Sequence, residues 1–212
     1  MDDVYGRKET EHLIGCLENV LQMYHLSFAK EEEGKGGGER GGGGGAGGGG
    51  GCVYELWKVR FLSLFFHFTA AEMQEVYARF CFPEGNVTKF SAMFSLSRSA
   101  SHALRHLGKD APCSDVYHLL MPLPMEALLL TCALTYDSQS CKNHFNLFWS
   151  RLQRVKVEAK GADLIQAGMR PGPAFARIFA RLLDARLDGQ VATKEEEVAL
   201  AKRIWDEEKK AD

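Results

Sequence analysis

Side chains able to do chemistry are thinly spread along these 212 residues, and few stand at the spacings that chemistry needs. Six cysteines (Cys16, Cys52, Cys81, Cys113, Cys132 and Cys141) lie far apart, with no C-x-x-C step and no histidine at zinc-finger intervals. A structural zinc site is therefore not expected, and the thiols read as reduced, mostly small core fillers. Seven histidines are equally dispersed, with His102 and His106 forming an i, i+4 pair. A lone i, i+4 match is a weak signal, so that pair reads as structural or solvent-facing. The acidic runs Glu31–Glu33, Glu195–Glu197 and Asp206–Glu208 read as solvated or helix-end charge. One segment stands out: residues 151–186 carry 8 basic side chains (Arg151, Arg154, Lys156, Lys160, Arg170, Arg177, Arg181, Arg186) against 3 acidic ones, within a chain of net charge −2. Such a segment suits an anionic partner, or is simply an Arg-rich solvated face; both readings stand at this point.

Which elements would position those residues? Glycine supplies 22 residues, 14 of them between Gly34 and Gly51, where polyglycine cannot bury apolar surface. That tract reads as a disordered linker; it lacks the fixed glycine positions, preceding strand and following helix of a phosphate loop. The remaining 194 residues are ordinary for a folded chain, with no apolar run long enough for a membrane span. Helical spacing marks Glu11–Lys30, and Val53–Phe68 reads as a buried helix apolar nearly all round. Thr69-Ala70-Ala71-Glu72 and Thr193-Lys194-Glu195-Glu196 are capping boxes, each opening a helix. Pro83-Glu84-Gly85-Asn86 reads as a turn before a helix over Val87–Leu107. Further helices are predicted over Ser114–Leu120, Met125–Tyr136, Ser140–Val157 and Pro173–Leu187, with a short helical turn at Leu164–Ala167. The class is all-α, a multi-helix array divided as 1–33 (first helix of the body), 34–51 (glycine-rich insert), 52–157 (helical body) and 158–212 (tail).

From Ala111 to Leu130 the chain reads A-P-C-S-D-V-Y-H-L-L-M-P-L-P-M-E-A-L-L-L. Further on, G-A-D-L (Gly161–Leu164), P-G-P (Pro171–Pro173) and L-D-G-Q-V (Leu187–Val191) follow at set intervals. These motifs and their mutual spacing resemble the C-terminal body and tail of bacterial-type tRNA nucleotidyltransferases. Those are the CCA- or A-adding enzymes of the poly(A) polymerase family, and the likeness is to the long variants that carry CBS domains. The resemblance is specific from Pro112 to Arg203 and weaker upstream, where Leu17–Glu31 and Trp57–Phe68 match a preceding helix pair in order. Ala176 and Phe179 depart from the family's usual glycine and leucine.

The resemblance implies a role in tRNA 3′-end maturation, with tRNA as partner and Mg2+ and CTP or ATP held by a catalytic head. That head carries paired aspartates, and this chain contains no D-x-D. The chain is thus expected to be inactive alone and to hold no cofactor. Its partners would be tRNA and a head encoded upstream or separately, with neither DNA nor a membrane. The expected compartment is the cytoplasm, an organellar matrix or stroma remaining open, since the acidic start is no export or transit signal. The helix–glycine-turn–helix of the tail offers backbone N–H groups at Ala174 and Phe175, after Gly172, to a phosphate. Arg151, Arg154 and Lys156 on the preceding helix, with Lys160, Arg170 and Arg177, would add charge. The competing reading is that P-G-P and L-D-G pack the terminal helices, and that the aromatics Phe61, Phe65, Phe66, Phe145, Phe148 and Trp149 are core rather than base-stacking platforms. A different class of role also stands: a truncated helical scaffold acting only in protein–protein interaction.

Overall fold

The computed structural model describes residues 2–23 and 56–211. The glycine-rich tract, Cys52 and the end of the first predicted helix lie outside those residues. Within them the chain forms ten α-helices, one 3₁₀ turn and no strand, as the all-α pattern predicts. In order these are α1 (Asp2–Met23), α2 (Leu56–Leu64), α3 (Ala70–Arg79), α4 (Glu84–His106), α5 (Cys113–Leu120), α6 (Met125–Leu134) and α7 (Gln139–Ser150). The 3₁₀ turn Leu152–Arg154 follows, then α8 (Gly161–Gln166), α9 (Ala174–Leu187) and α10 (Lys194–Ala211). No single helix among the described residues is long and apolar enough to cross a membrane.

The chain divides into two compact units, with the boundary inside α4. The first takes the described residues up to Arg98 together with Pro124–Tyr136. Its centre is α6, in which Ala127 to Ala133 are all buried, packed against α1 and α2. A helix buried on every side must satisfy its own polar groups, and the Thr131 and Thr135 hydroxyls do so by donating to carbonyls one turn back, at 2.6 and 2.9 Å. Beside it Phe61 meets Phe65, Phe80, Phe82 and Phe90 with ring centroids 5.0–5.6 Å apart, in tilted and edge-to-face arrangements. Phe61, Phe65 and Phe66 thus sit in ring clusters, although α2 is not buried all round: Trp57 and Leu64 stay 44% and 46% exposed. The Thr69/Glu72 box forms as read, the Glu72 carboxylate accepting from the Thr69 N–H at 2.6 Å. Pro83-Glu84-Gly85-Asn86 is not a free-standing turn. The Pro83 carbonyl accepts from the Asn86 and Val87 amides and so begins α4 itself.

Helix α3 ends in a Schellman motif: Phe82 N–H donates to the Tyr77 carbonyl and Cys81 N–H to the Ala78 carbonyl. The residue that must then turn left-handed is Cys81, at φ 52°, where glycine is usual. A side chain there costs about 1 kcal/mol. Cys81→Gly is therefore expected to raise the urea midpoint by an equivalent amount at unchanged m-value, and an unchanged or lowered midpoint contradicts the reading. Among the described cysteines, Cys16, Cys132 and Cys141 are buried, Cys113 is half-buried and Cys81 is exposed.

The second unit takes Ser99–Leu123 and everything from Asp137 on. Here α9 packs on α5 and α10, and α10 also packs on α8. The core joins Leu164, Met169, Ile178, Leu182, Ala201 and Ile204, with Phe175, Phe179 and Trp205 half-buried around it. Phe145 and Phe148 are buried in α7, consistent with their reading as core. Glycines close two of these helices in the same way. Gly168 (φ 88°) and Gly189 (φ 74°) lie in the left-handed region, while Met169 and Gln190 donate back to the Leu164 and Ala185 carbonyls.

One predicted helix is shorter than its periodicity suggests. Ser140–Val157 does not continue as one helix: α7 ends at Ser150, where Arg151 leaves helical geometry (φ −130°, ψ −56°), and after the 3₁₀ turn Val155 is extended. Beyond that turn the chain is tied to α10, where the Glu197 carboxylate accepts from the amides of Glu158 and Ala159 at 2.9 and 2.7 Å.

Candidate nucleic-acid interface

The second unit is built so that several of its motif residues act as structural ties. Asp188 accepts from the Ser114 amide at 2.8 Å and the Ser114 hydroxyl at 2.9 Å. Pro112, at the cap of α5, has no side chain able to do this, so α5 is capped from 74 residues away. Asp184 reaches His118, also on α5, at 2.5 Å. Asp163 accepts from the Lys160 amide at 2.8 Å, capping α8, and pairs with Lys194 at 2.7 Å. Lys194 and then the Lys160 amide hold that carboxyl below its ordinary range. The Thr193/Glu196 box forms, Glu196 accepting from Ala192 and Thr193.

Glu197 is the member of this set that the sequence hides. Its neighbours Glu195 and Glu196 are exposed helix-start charges, as expected of an acidic run, but Glu197 itself is fully buried. Besides the two backbone amides, it accepts from the guanidinium of Arg186, whose other arm reaches Glu158. Glu197 and then Glu158 raise the pKa of Arg186, keeping it charged at the end of α9. A buried carboxylate with three donors is a satisfied one. The available signal was spacing: Glu197, Ala201 and Ile204 fall at i, i+4 and i+7, on one face.

Around this tie opens a cleft of about 670 Å³, lined by Arg151, Arg154, Lys156, Glu158, Arg186 and the Gly189 turn among others. Arg186 is matched by its two glutamates, whereas Arg151, Arg154 and Lys156 are exposed. Arg151 donates to the Leu187 carbonyl at 3.3 Å, at the C-terminus of α9 where a cation is favoured. Among the described residues neither Arg154 nor Lys156 has an ion-pair partner. The cleft is thus net positive, with exposed cationic tips standing over a neutralised floor. Chemically it can hold a polyanion through charge, with no reactive group poised over it.

The predicted site residues fall into two groups. Arg151, Arg154 and Lys156 come together on this cleft, though from a 3₁₀ turn and an extended segment rather than from the helix expected to carry them. Lys160, Arg170, Gly172, Ala174, Phe175 and Arg177 do not line it. Lys160 caps α8, Arg170 and Gly172 lie exposed in the α8–α9 turn, and Arg177 is exposed on α9. Ala174 opens α9 and is half-buried. The amide of Phe175, expected to serve a phosphate, donates to the Gly172 carbonyl at 3.0 Å. The Phe175 ring meets Phe179 and Trp205 at centroid distances of 6.5 and 6.4 Å, so this residue packs the terminal helices. Among the described residues no three His, Cys, Asp or Glu side chains converge as a metal site.

Fold and site together define an all-α module with a basic cleft. No family model matches the chain, and no solved structure matches it. A stretch of 98 residues, 46% of the chain, is 34% identical to an A-adding tRNA nucleotidyltransferase of Geobacter sulfurreducens. The match covers 11% of that protein, so the chain corresponds to a small part of a much longer relative.

Proposed function

We propose that this chain is the tRNA-holding body and tail of a nucleotidyltransferase that matures tRNA 3′ ends. The observation that carries the reading is the cleft on which exposed Arg151, Arg154 and Lys156 converge, in a chain whose matched relative acts on tRNA by name. Three cations fixed on one rim suit the regular phosphates of an RNA backbone, which are gripped without reading sequence. The remaining basic residues, Lys160, Arg170 and Arg177, extend the positive surface of the tail. The family's chemistry needs carboxylates that clamp metal ions, and the residues present do not fit that need: the sequence has no D-x-D, and no three His, Cys, Asp or Glu side chains converge among the described residues. No chemical step is therefore assigned here. Mg2+ and the nucleotide belong to a head that this chain would serve, encoded upstream or separately.

The test is direct titration of fluorescently labelled tRNA with the chain at about 50 and 200 mM salt. Binding is expected at the lower concentration and should weaken by about tenfold or more at the higher. Absence of binding at the lower salt would sink the reading and leave a helical scaffold.

A further inference from the structure

We propose that His102 and His106 form a two-imidazole chelate site for a borderline divalent transition ion, of the class Zn2+, Ni2+ or Cu2+. Spacing alone is weak support, because an i, i+4 pair need only share a helix face. The geometry goes further. The two Nε2 atoms approach to 3.2 Å and the ring centroids to 4.4 Å, with both residues exposed on the last turns of α4. Both rings thus bring the same nitrogen, Nε2, within the span of a single ion. With metal–nitrogen bonds of about 2.0–2.1 Å, a 3.2 Å bite subtends roughly 100° at the ion, near the tetrahedral angle.

In the metal-free chain the two nitrogens share one hydrogen bond, one ring donating and the other accepting. Binding requires only that the donor ring move its proton from Nε2 to Nδ1, freeing a second lone pair; no proton or electron is lost. An all-imidazole donor set selects nickel, copper or zinc over magnesium or calcium, which prefer oxygen. Arg105, between the two histidines, does not oppose the ion with a bare charge. Its guanidinium is bound in fork fashion to Asp137, at 2.7 and 3.2 Å. Water would complete the coordination sphere. Bridging one turn, the ion would clamp the C-terminal end of α4.

Isothermal titration of the full chain with NiCl2, alongside thermal unfolding, tests the site. One site should bind. At free Ni2+ about 100-fold above its Kd the folded-to-unfolded ratio should rise about 100-fold. His102→Gln and His106→Gln, both at exposed positions, should each abolish the response while leaving far-ultraviolet helicity unchanged. MgCl2 should have no effect. Paramagnetic broadening of the His102 and His106 ring signals, before those of the other histidines, reports the same site without any variant. Undiminished Ni2+ binding by the double variant, equal response to Mg2+, or no binding at millimolar Ni2+ would each overturn the proposal.

Discussion

Replacing Glu197 with alanine is expected to destabilise the chain by about 3–5 kcal/mol, the range for breaking a buried charged pair by removing one partner. Alanine leaves the Arg186 guanidinium with only the exposed Glu158, and the side-chain exposures of 18% for Arg186 and 0% for Glu197 show how little water can replace the missing carboxylate. It also strands the amides of Glu158 and Ala159, the latter buried. Against a typical total of roughly 5–15 kcal/mol, such a loss is a large part of what a small domain has. Glu197→Gln keeps an oxygen for the two amides and should cost less than alanine, although an NH2 group then replaces the oxygen that accepted from Arg186. Urea unfolding of the three proteins decides it. A loss below about 1 kcal/mol for alanine would mean that the carboxylate is more hydrated, and the cleft floor less rigid, than described.

The second large effect concerns binding. Arg154→Glu with Lys156→Glu turns two cations of the rim into anions, and tRNA affinity at low salt is expected to fall about 100-fold or more. The loss should be alike for unrelated tRNA sequences, because phosphate contacts position rather than specify. Both side chains are exposed and outside any ion pair among the described residues, so the unfolding midpoint should barely move. Arg170→Glu with Arg177→Glu is the comparison, since those residues do not line the cleft. A larger loss from that pair would shift the interface to the α8–α9 turn.

What the sequence made legible was whatever is local. The two capping boxes and the all-α class need only a few neighbouring residues each, and they stand in the structure as read. Two readings failed where residues distant in sequence enter. Phe145, Phe148, Leu152 and Val155 keep helical spacing past Ser150, yet the helix stops there and the chain beyond it is tied to α10 through the Glu158 and Ala159 amides. Glu195–Glu197 looks like one solvated run, but the third glutamate turns to the core face. The cationic residues were visible as composition. Their gathering into one cleft depended on that broken helix, and only Arg151, Arg154 and Lys156 were gathered.

The central claim, that the cleft grips RNA backbone through those cations, is tested most directly by the salt dependence of tRNA affinity. The slope of log affinity against log salt would be compared between the unaltered chain and one carrying Arg154→Gln and Lys156→Gln. Each phosphate that is no longer neutralised should flatten the slope by about 1, so a difference of about 2 is predicted. Identical slopes in the two proteins would contradict the account.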